Sequence, residues 1–243
     1  NNYAQDLRIS IRGFGARSAF GIRGINIVVD GISETTPDGQ GQIDNVPLAL
    51  IENIEIIRGP SASLYGNAAG GVILINTIDK TSKDKYNFKY TLGSYSFNNY
   101  QFLSSFNKKN TNAIIYLNRT ESNGFRDHSS LKQNILNIKL KHNASNSSVI
   151  NLQFNYTNSP LAQDSGGLTK EEVRSNRNQA RQRNIDYDTY EKINQLKLGL
   201  SLDKKLNSKI DFNIYGFFVN RFFYGKLPFE NGGIVDLDRF YSG

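Results

Sequence analysis

Apolar and polar residues alternate at every second position over much of the chain beyond residue 85, and this period constrains the fold most. Residues 150–157 and 196–202 are clear examples. A strand places successive side chains on opposite faces, so each such run has one apolar and one polar face. The runs extend to about ten residues, the length at which a tilted strand crosses a bilayer. Aromatic residues that suit a membrane interface lie near the strand ends: Tyr86, Tyr156, Phe222, Phe223 and Tyr224.

The links between these runs alternate in length. Predicted strands lie near residues 86–94, 97–107, 112–122, 132–142, 148–158, 190–204 and 208–222, and a further one begins near Ile234. Tight polar turns are predicted at residues 107–111, 143–147 and 206–208, and longer links at 123–131, 159–188 and from 225 onward. Short turns on one side and long loops on the other are typical of outer-membrane barrels. A soluble β-sandwich accounts for the period of two but not for this alternation.

Composition narrows the class of protein further. The chain has 243 residues, a net charge of +7 and no Cys, which excludes disulfides and thiolate metal sites. It contains no apolar run of about 18 residues, so no transmembrane helix is predicted. The absence of Met and the polar start indicate that an N-terminal segment, with any signal peptide, is missing. The Lys residues are scattered through turns rather than gathered into a stripe, so no nucleic-acid partner is predicted.

The first part of the chain follows a different pattern, dense in Gly and in short β-branched runs. Residues 25–31 read as a strand ending in a turn, residues 51–57 as a short helix or turn entering a strand, and residues 72–75 as a buried strand. Residues 79–85 form a polar boundary. Gly59-Pro60 is predicted to form a structural turn.

A compact segment followed by strands suggests a plug followed by a barrel wall, and hence a transporter rather than an enzyme. A barrel of about eight strands is filled by its own side chains, whereas plugged lumens belong to barrels of about 22 strands. We therefore expect residues 1–80 to form a small α+β plug domain. Residues 85–243 are expected to form about seven antiparallel transmembrane strands, the incomplete first part of a 22-stranded β-barrel. The chain is then the first third of a larger protein.

Several motifs in this order resemble the plug of TonB-dependent outer-membrane receptors, over residues of about 5–80. They are residues 12–15, 23–24, 29–32, 51–60, 63–66 and 70–73. A finer likeness, to the siderophore and ferric-citrate-type branch, is carried by residues 37–42, 165–169 and 178–181.

The resemblance implies a receptor in the bacterial outer membrane. It would bind a scarce extracellular ligand, most often a ferric siderophore or ferric citrate, and import it with energy from TonB–ExbB–ExbD. The TonB box should precede Asn1. The partners implied are the ferric chelate, TonB and outer-membrane lipid, with no cofactor and with iron only as part of the chelate. Two alternatives stay open: the same fold importing cobalamin, haem or a carbohydrate, and a soluble β-rich adhesin or binding module.

The resemblance also assigns a lock between plug and barrel. Arg12 and Arg58 would face acidic residues of the barrel, with Glu52 and Glu55 as local partners. Breaking such a pair in a partly dry lumen costs several kcal/mol, roughly 3–5, so force from TonB could act on it. The alternative is that these charges satisfy only one another.

Ligand contacts are expected at two plug apices and one long loop. The first apex comprises Arg17, Ser18 and Arg23; the second comprises Thr36, Asp38, Gln40 and Gln42; the loop contributes Arg177, Arg181 and Arg183. Arg offers permanently charged, bidentate donors to an anionic chelate, and Gln both donates and accepts. The alternative for each residue is an ordinary solvated loop position. Glu171, Glu172, Asp186 and Asp188 partly cancel the positive potential of the loop.

Catalysis finds little support in the sequence. His128 and His142 are far apart, and neither a metalloprotease motif nor a nucleophile elbow occurs. The run 127–129, Asp-His-Ser, is too local to form a triad. No catalytic or metal-binding residue is therefore predicted.

Overall fold

The computed structural model describes residues 4, 7–18, 21–43, 45–59, 64–66, 68–79, 81, 83–231 and 233–243. The chain divides into two compact units. One comprises Asp6–Asp79, and the other comprises Asn1–Gln5 with Lys80–Gly243. The expected turn at Pro60 and the motif position Ser63 lie outside the described residues, as do Lys80 and Ser82 of the polar boundary.

The first unit is built on short strands and one 3₁₀ helix. The strands are β1 (Ile22–Arg23), β2 (Asn26–Val29), β3 (Ile32–Ser33), β4 (Gln40–Gly41), β5 (Ile51–Ile57) and β6 (Val72–Thr77), and the 3₁₀ helix is Leu48–Leu50. A four-stranded sheet has the order β3-β2-β6-β5, and β1 pairs with β4 separately. Within the larger sheet β2 runs parallel to β6, while the other two pairings are antiparallel.

The core of this unit lies where β2 meets β6. Ile27 and Val29 pair in register with Ile73 and Ile75, and all four side chains are buried together with Ile22 and Ile25. The strands predicted within residues 25–31 and 72–75 are confirmed. The parallel pair buries its β-branched side chains, as parallel strands usually do.

The prediction of a short helix or turn within residues 51–57 was wrong. All seven residues form β5, and the single helical turn lies just before them, at Leu48–Leu50. Four of the seven are Ile, whose branched side chain favours an extended backbone. Pairing with β6 then provides the backbone hydrogen bonds that a helix would otherwise have supplied.

The second unit is a meander of eight antiparallel strands, each hydrogen-bonded to the next along the chain. They are β7 (Lys85–Gly93), β8 (Phe97–Lys108), β9 (Thr111–Ser122), β10 (Leu131–Ser145), β11 (Ser148–Gln163), β12 (Tyr190–Lys205), β13 (Asp211–Lys226) and β14 (Ile234–Ser242). The predicted strands are confirmed at these positions. Several limits differ by three to five residues. Strand β10 continues to Ser145 rather than 142, β11 continues to Gln163 rather than 158, and β13 spans Asp211–Lys226 rather than 208–222.

Links of two kinds connect the meander. One edge carries the turns at residues 109–110, 146–147 and 206–210, and the opposite edge carries links at residues 94–96, 123–130, 164–189 and 227–233. The longest of these contains two short helices, α1 (Lys170–Ser175) and α2 (Gln182–Asp186). The predicted alternation of link length is therefore confirmed, with the short link 94–96 on the long-link edge as the exception. None of the helices in the described residues is long and apolar enough to span a membrane.

The meander buries polar side chains on one face and exposes apolar side chains on the other, the reverse of a sheet in water. On β12 the side chain of Gln195 is 1% exposed and that of Lys197 is buried, whereas Leu200 is 55% exposed. Leu198, Phe212 and Ile214 are exposed on the same face as Leu200. A soluble sandwich would bury this apolar face in a dry core, so the structure favours a sheet whose outer face meets hydrocarbon.

Placing a charge on this apolar face tests its environment. We expect Leu200→Arg to lower the free energy of unfolding of the intact protein in lipid vesicles by about 2–4 kcal/mol, because Arg must be buried in hydrocarbon. Urea-induced unfolding followed by tryptic accessibility measures this change. Ser208→Arg, in an exposed turn, is the matched control and should change stability little. Equal stability of the two variants would show that Leu200 does not face lipid.

Candidate functional site

A tight turn between Thr36 and Gln40 forms the best-defined polar feature of the first unit. The Thr36 hydroxyl donates to the Asp38 carboxylate and to the main-chain oxygen of Gln40, the latter at 2.8 Å. The Gly39 N–H donates to the Thr36 carbonyl at 2.8 Å, and the Gln40 N–H reaches Asp38 Oδ1 at 3.4 Å. These bonds fix the turn from within, so its shape does not depend on a ligand.

Pairing of β1 with β4 brings Arg23 to this turn. Arg23 and Gln40 are Cα partners, and Arg23 Nη1 donates to the Asp38 carbonyl at 3.1 Å. Arg23 was predicted to share an apex with Arg17 and Ser18, but this hydrogen bond places it with the other group. We call Arg23 with residues 36–40 the apex turn.

Exposure separates the members of the apex turn into two sets. Arg23 and Asp38 are exposed, whereas Thr36 and Gln40 are only 6% and 7% exposed. Gln40 packs against Gly21, where an added Cβ would lie 2.7 Å from its side-chain nitrogen. Gln42 is half-buried, and its side-chain oxygen has no hydrogen-bond partner among the described residues. Arg23 and Asp38 can therefore touch a ligand, while Thr36 and Gln40 support them.

The remaining residues of the first predicted apex lie beyond a tight hairpin. Ile11 and Phe14 exchange main-chain hydrogen bonds of 3.1 and 3.0 Å, and Arg12 stands exposed at the tip with φ +52°. Arg17 is exposed, and Ser18 is half-buried with its N–H bonded to the Gly15 carbonyl at 3.1 Å. The segment of residues 11–18 thus displays two exposed guanidinium groups, Arg12 at the hairpin tip and Arg17 beyond the hairpin.

The four charges predicted to lock the plug are all accessible. Glu52 and Glu55 lie on the edge strand β5, Arg58 follows directly, and each is exposed, as is Arg12. Within the described part of the chain, no ion pair joins these carboxylates to Arg12 or Arg58. The alternative that these charges satisfy only one another is therefore not what the structure shows. Their role as a lock remains a prediction.

An internal clasp, missed by the sequence analysis, joins the ends of β2 and β6. Asp30 follows β2 with φ +51°, and its two carboxylate oxygens accept the N–H and the hydroxyl of Thr77, each at 2.8 Å. Thr77 is buried at the end of β6. The only local signal was the Asp-Gly pair at residues 30–31, which reads as a turn. Charged hydrogen bonds of this kind are stronger than neutral ones.

Removing this clasp should loosen the first unit. We expect Asp30→Ala to lower the free energy of opening of β2 and β6 by about 1.5–3 kcal/mol, the usual worth of hydrogen bonds to a charged group. Hydrogen exchange of the β2 and β6 amides in the intact protein measures this change. Thr77→Ser keeps both donors and should exchange at close to the wild-type rate. Thr77→Val loses only the hydroxyl, so its exchange rate should lie between those of Thr77→Ser and Asp30→Ala. Any other order of the three exchange rates would contradict the clasp.

Two long links of the second unit are bound to each other, and we call residues 123–130 and 164–189 the loop pair. Arg126 joins them by donating to three main-chain oxygens: Nε to Gln179 at 2.9 Å, Nη1 to Gly166 at 2.6 Å and Nη2 to Ser165 at 3.0 Å. The Ser165 hydroxyl returns a bond to the Asp127 carbonyl at 3.0 Å. A single planar guanidinium therefore bonds three carbonyls of the other link, of which that of Ser165 also accepts the Arg181 N–H.

Buried polar groups complete the loop pair. Asn184 Nδ2 donates to Thr189 Oγ1 at 3.0 Å and to the Asp164 carbonyl at 3.1 Å, and His128 Nε2 lies 2.8 Å from the Thr189 carbonyl. Helix α1 begins in a capping box, in which Thr169 and Glu172 bond each other's main chain. The Thr169 main-chain and hydroxyl hydrogen bonds keep the pKa of the Glu172 carboxyl below its ordinary value. The loop pair is thus an ordered structure, although the sequence predicted only a long link.

The three loop arginines stand on this ordered frame. Arg177, Arg181 and Arg183 are all exposed. The Arg181 N–H bonds the Ser165 carbonyl at 2.8 Å, and the Arg183 guanidinium lies 5.8 Å from the ring centres of both Tyr187 and Phe229. The positions of Arg181 and Arg183 are therefore fixed by these contacts, while the charged groups of all three arginines remain open to solvent.

Loss of Arg126 should release the loop pair. We expect Arg126→Lys to increase proteolysis within residues 164–189 at least several-fold, because one ammonium group cannot reproduce the three-way planar contact. Limited trypsin digestion of the intact protein, with mass analysis of the fragments, measures this change. Arg177→Lys is the matched control, since Arg177 is exposed and both variants keep a tryptic site. Identical digestion of the two variants would show that Arg126 does not hold the links together.

Comparison with known proteins agrees with this architecture. Residues 1–72 match the family model of the TonB-dependent Receptor Plug Domain. A hemin receptor of Yersinia enterocolitica is 40% identical over 72 residues, which is 29% of this chain and 10% of that protein. The vitamin B12 transporter BtuB of Vibrio vulnificus (strain YJ016) is 31% identical over 103 residues, covering 41% of this chain and 17% of that protein.

A solved structure extends the likeness to the meander. The unliganded ferric citrate transporter FecA superposes with a TM-score of 0.73 at 22% identity, covering 98% of this chain and 38% of that one. This level of identity shows the fold. The chain spans about 10% of the hemin receptor and 38% of the FecA chain.

The plug match and the fold of the strand meander together indicate a receptor of the bacterial outer membrane. Residues 1–72 belong to the family of TonB-dependent receptor plug domains, and the chain as a whole shares the fold of FecA.

Proposed function

We propose that this receptor imports a ferric chelate, a ferric siderophore or ferric citrate, across the outer membrane with energy from TonB–ExbB–ExbD. The observation that carries the proposal is the plug match of residues 1–72 followed by a meander whose apolar face is exposed. The likeness to FecA over 98% of the chain supports this cargo class. In this proposal the meander is part of a closed barrel of about 22 strands, the number found in barrels whose lumen holds a plug.

The apex turn is the proposed ligand contact on the plug. Arg23 and Asp38 are exposed there, and the turn is fixed by its own hydrogen bonds to Thr36 and Gln40. Ferric chelates are often anionic, so Arg23 would donate charged hydrogen bonds to chelate oxygens. Because the turn is already ordered, little conformational entropy is lost on binding. Iron would remain held by its chelator, without a cofactor of the protein.

Further contacts are proposed around this turn. Arg17, Ser18 and Gln42 would extend the plug surface toward the ligand. The Gln42 side-chain oxygen is buried and has no partner among the described residues, so it would contact the ligand only after a change of side-chain conformation. Arg177, Arg181 and Arg183 of the loop pair would add positive potential that steers an anion. Arg12 and Arg58, with Glu52 and Glu55, are the proposed lock that yields to force from TonB.

Haem is the second candidate cargo. It is favoured by the hemin receptor of Yersinia enterocolitica, which is 40% identical over 72 residues. Cobalamin follows by the same argument from BtuB at 31% identity.

Ligand titration of the intact receptor in detergent tests the proposal. Isothermal calorimetry with ferric citrate, ferric catecholate and hydroxamate chelates, hemin and cobalamin should give saturable binding, micromolar or tighter, for one ferric chelate. Arg23→Ala should weaken it by about 10–100-fold, since a charged hydrogen bond is lost. Lys209→Ala is the control and should bind like the wild type, because Lys209 lies in an exposed turn on the edge of the meander that does not carry the loop pair.

Two results would count against the proposal. Binding of hemin or cobalamin with no binding of any ferric chelate would replace the cargo and leave the fold intact. Accumulation of the bound chelate in cells whose proton-motive force has been collapsed would show that import does not depend on TonB energy.

A further inference from the structure

The outer face of strands β7–β10 is layered across the strands. Cross-strand pairing aligns four rows in register. From the long-link edge downward they are Leu92–Asn98–Glu121–Lys132, Tyr90–Tyr100–Arg119–Asn134, Phe88–Phe102–Leu117–Leu136 and Tyr86–Ser104–Ile115–Ile138. Two mainly polar rows therefore lie directly above two mainly apolar rows. On a sheet whose outer face meets hydrocarbon, such a step marks the level of lipid headgroups.

A groove crosses this step. It has a volume of ≈ 290 Å³ and runs between apolar walls formed by Phe88, Phe102, Leu117 and Leu136, with Tyr100, Arg119 and Asn134 at its upper end. A larger groove of ≈ 460 Å³ lies on the same face between β12 and β13, but its walls are Leu198, Leu200, Leu202, Ile214 and Phe218, without a charged residue. The smaller groove is thus amphipathic. Its apolar part is wide enough for an acyl chain, and its upper end carries the Arg119 cation.

The charges at the upper end leave one positive charge in excess. Arg119 Nη2 lies 2.5 Å from Glu121 Oε1, and Lys132 is the cross-strand partner of Glu121, so two cations flank one carboxylate. The Arg119 side chain remains 61% exposed. Its Nη1 group has no hydrogen-bond partner among the described residues. The arginine can therefore still donate to an incoming anion.

Hydrogen-bonding groups surround this guanidinium. Asn134 and Tyr100 are its cross-strand partners on either side. Tyr90 stacks on Tyr100 with ring centres 4.6 Å apart, and its hydroxyl donates to Asn98 at 2.6 Å. The stacked rings and the amides present donors and acceptors suited to sugar hydroxyls.

We infer that this groove binds a phosphorylated glycolipid of the external leaflet, with an acyl chain in the groove and a headgroup phosphate on Arg119 and Lys132. The leaflet follows from the position at the long-link edge, since the longer loops of such barrels are extracellular. Phosphate on a guanidinium makes strong, bidentate hydrogen bonds. The sugar hydroxyls would hydrogen-bond to the amide and tyrosine side chains around Arg119. This lipid site is separate from the proposed import function and does not depend on the cargo.

Native mass spectrometry of the intact receptor, released from detergent after incubation with defined lipids, tests the inference. The probes are hexa-acylated lipid A with two phosphates, the same lipid without phosphate, and dioleoyl phosphatidylglycerol. We expect the bisphosphorylated lipid to be retained about tenfold better than either other probe, because only it supplies both phosphate and sugar. Equal retention without phosphate, or equal retention of phosphatidylglycerol, would overturn the assignment.

Two substitutions on one ion pair separate lipid binding from a structural role. Arg119→Gln removes the phosphate donor and should reduce retention by about tenfold. Glu121→Gln removes the competing carboxylate and should increase retention, although it breaks the same Arg119–Glu121 contact. A merely structural salt bridge would make both variants change in the same direction, and that result would refute the inference.

The groove itself is tested without altering charge. Leu117→Trp fills the channel and should lower retention of the bisphosphorylated lipid. Lys192→Gln is the matched control for loss of a cation on this face, because Lys192 lies 4.9 Å from the Tyr190 ring and outside the groove. Lower retention in the Lys192 variant than in Arg119→Gln would show that general surface charge, and not the groove, holds the lipid.

Discussion

Complete pairing of the meander backbone is the constraint on which the rest of the second unit depends. Hydrocarbon offers no hydrogen-bond partner to N–H and C=O groups, so a strand there must bond to neighbours on both sides. From β8 to β12 each strand has such neighbours over most of its length, whereas β13 pairs with β12 throughout and with β14 only over Phe218–Lys226. Only then can side chains such as Leu200 and Ile214 be exposed on one face, with polar side chains such as Gln195 buried on the other. The order of the links, and therefore the position of the loop pair, follows from that pairing.

The sequence predicted what depends on local period and missed what depends on distant partners. Alternation over two residues is local, so the meander strands were placed within a few residues. Strand β5 was misjudged because its pairing with β6 decides its conformation, and β6 begins 15 residues beyond the end of β5 (72 − 57 = 15). The clasp of Asp30 with Thr77 spans 47 residues and the contact of Arg126 with Gln179 spans 53. Neither partner can be found from spacing or residue type alone.

The candidate site was predicted by residue type more than by arrangement. The sequence grouped Asp38 and Gln40 correctly in one surface turn. It assigned Arg23 to a different apex, although Arg23 bonds to this turn. Their grouping depends on the pairing of β1 with β4, two strands of two residues each that carry no recognisable period. Thr36 and Gln40 were considered as ligand contacts, yet burial makes them supports. Exposure is set by packing, which residue identity does not reveal.

Both candidate contact regions share one design, in which buried side chains bond the main chain and leave arginines exposed. In the apex turn the Thr36 hydroxyl holds the backbone behind Arg23 and Asp38. In the loop pair Arg126 and Asn184 hold the backbone that carries Arg181 and Arg183. An anion that binds such a surface orders few further groups, so charge and geometry, rather than loop folding, set its affinity. Substitution of a buried support would therefore weaken binding without removing any group that touches the ligand.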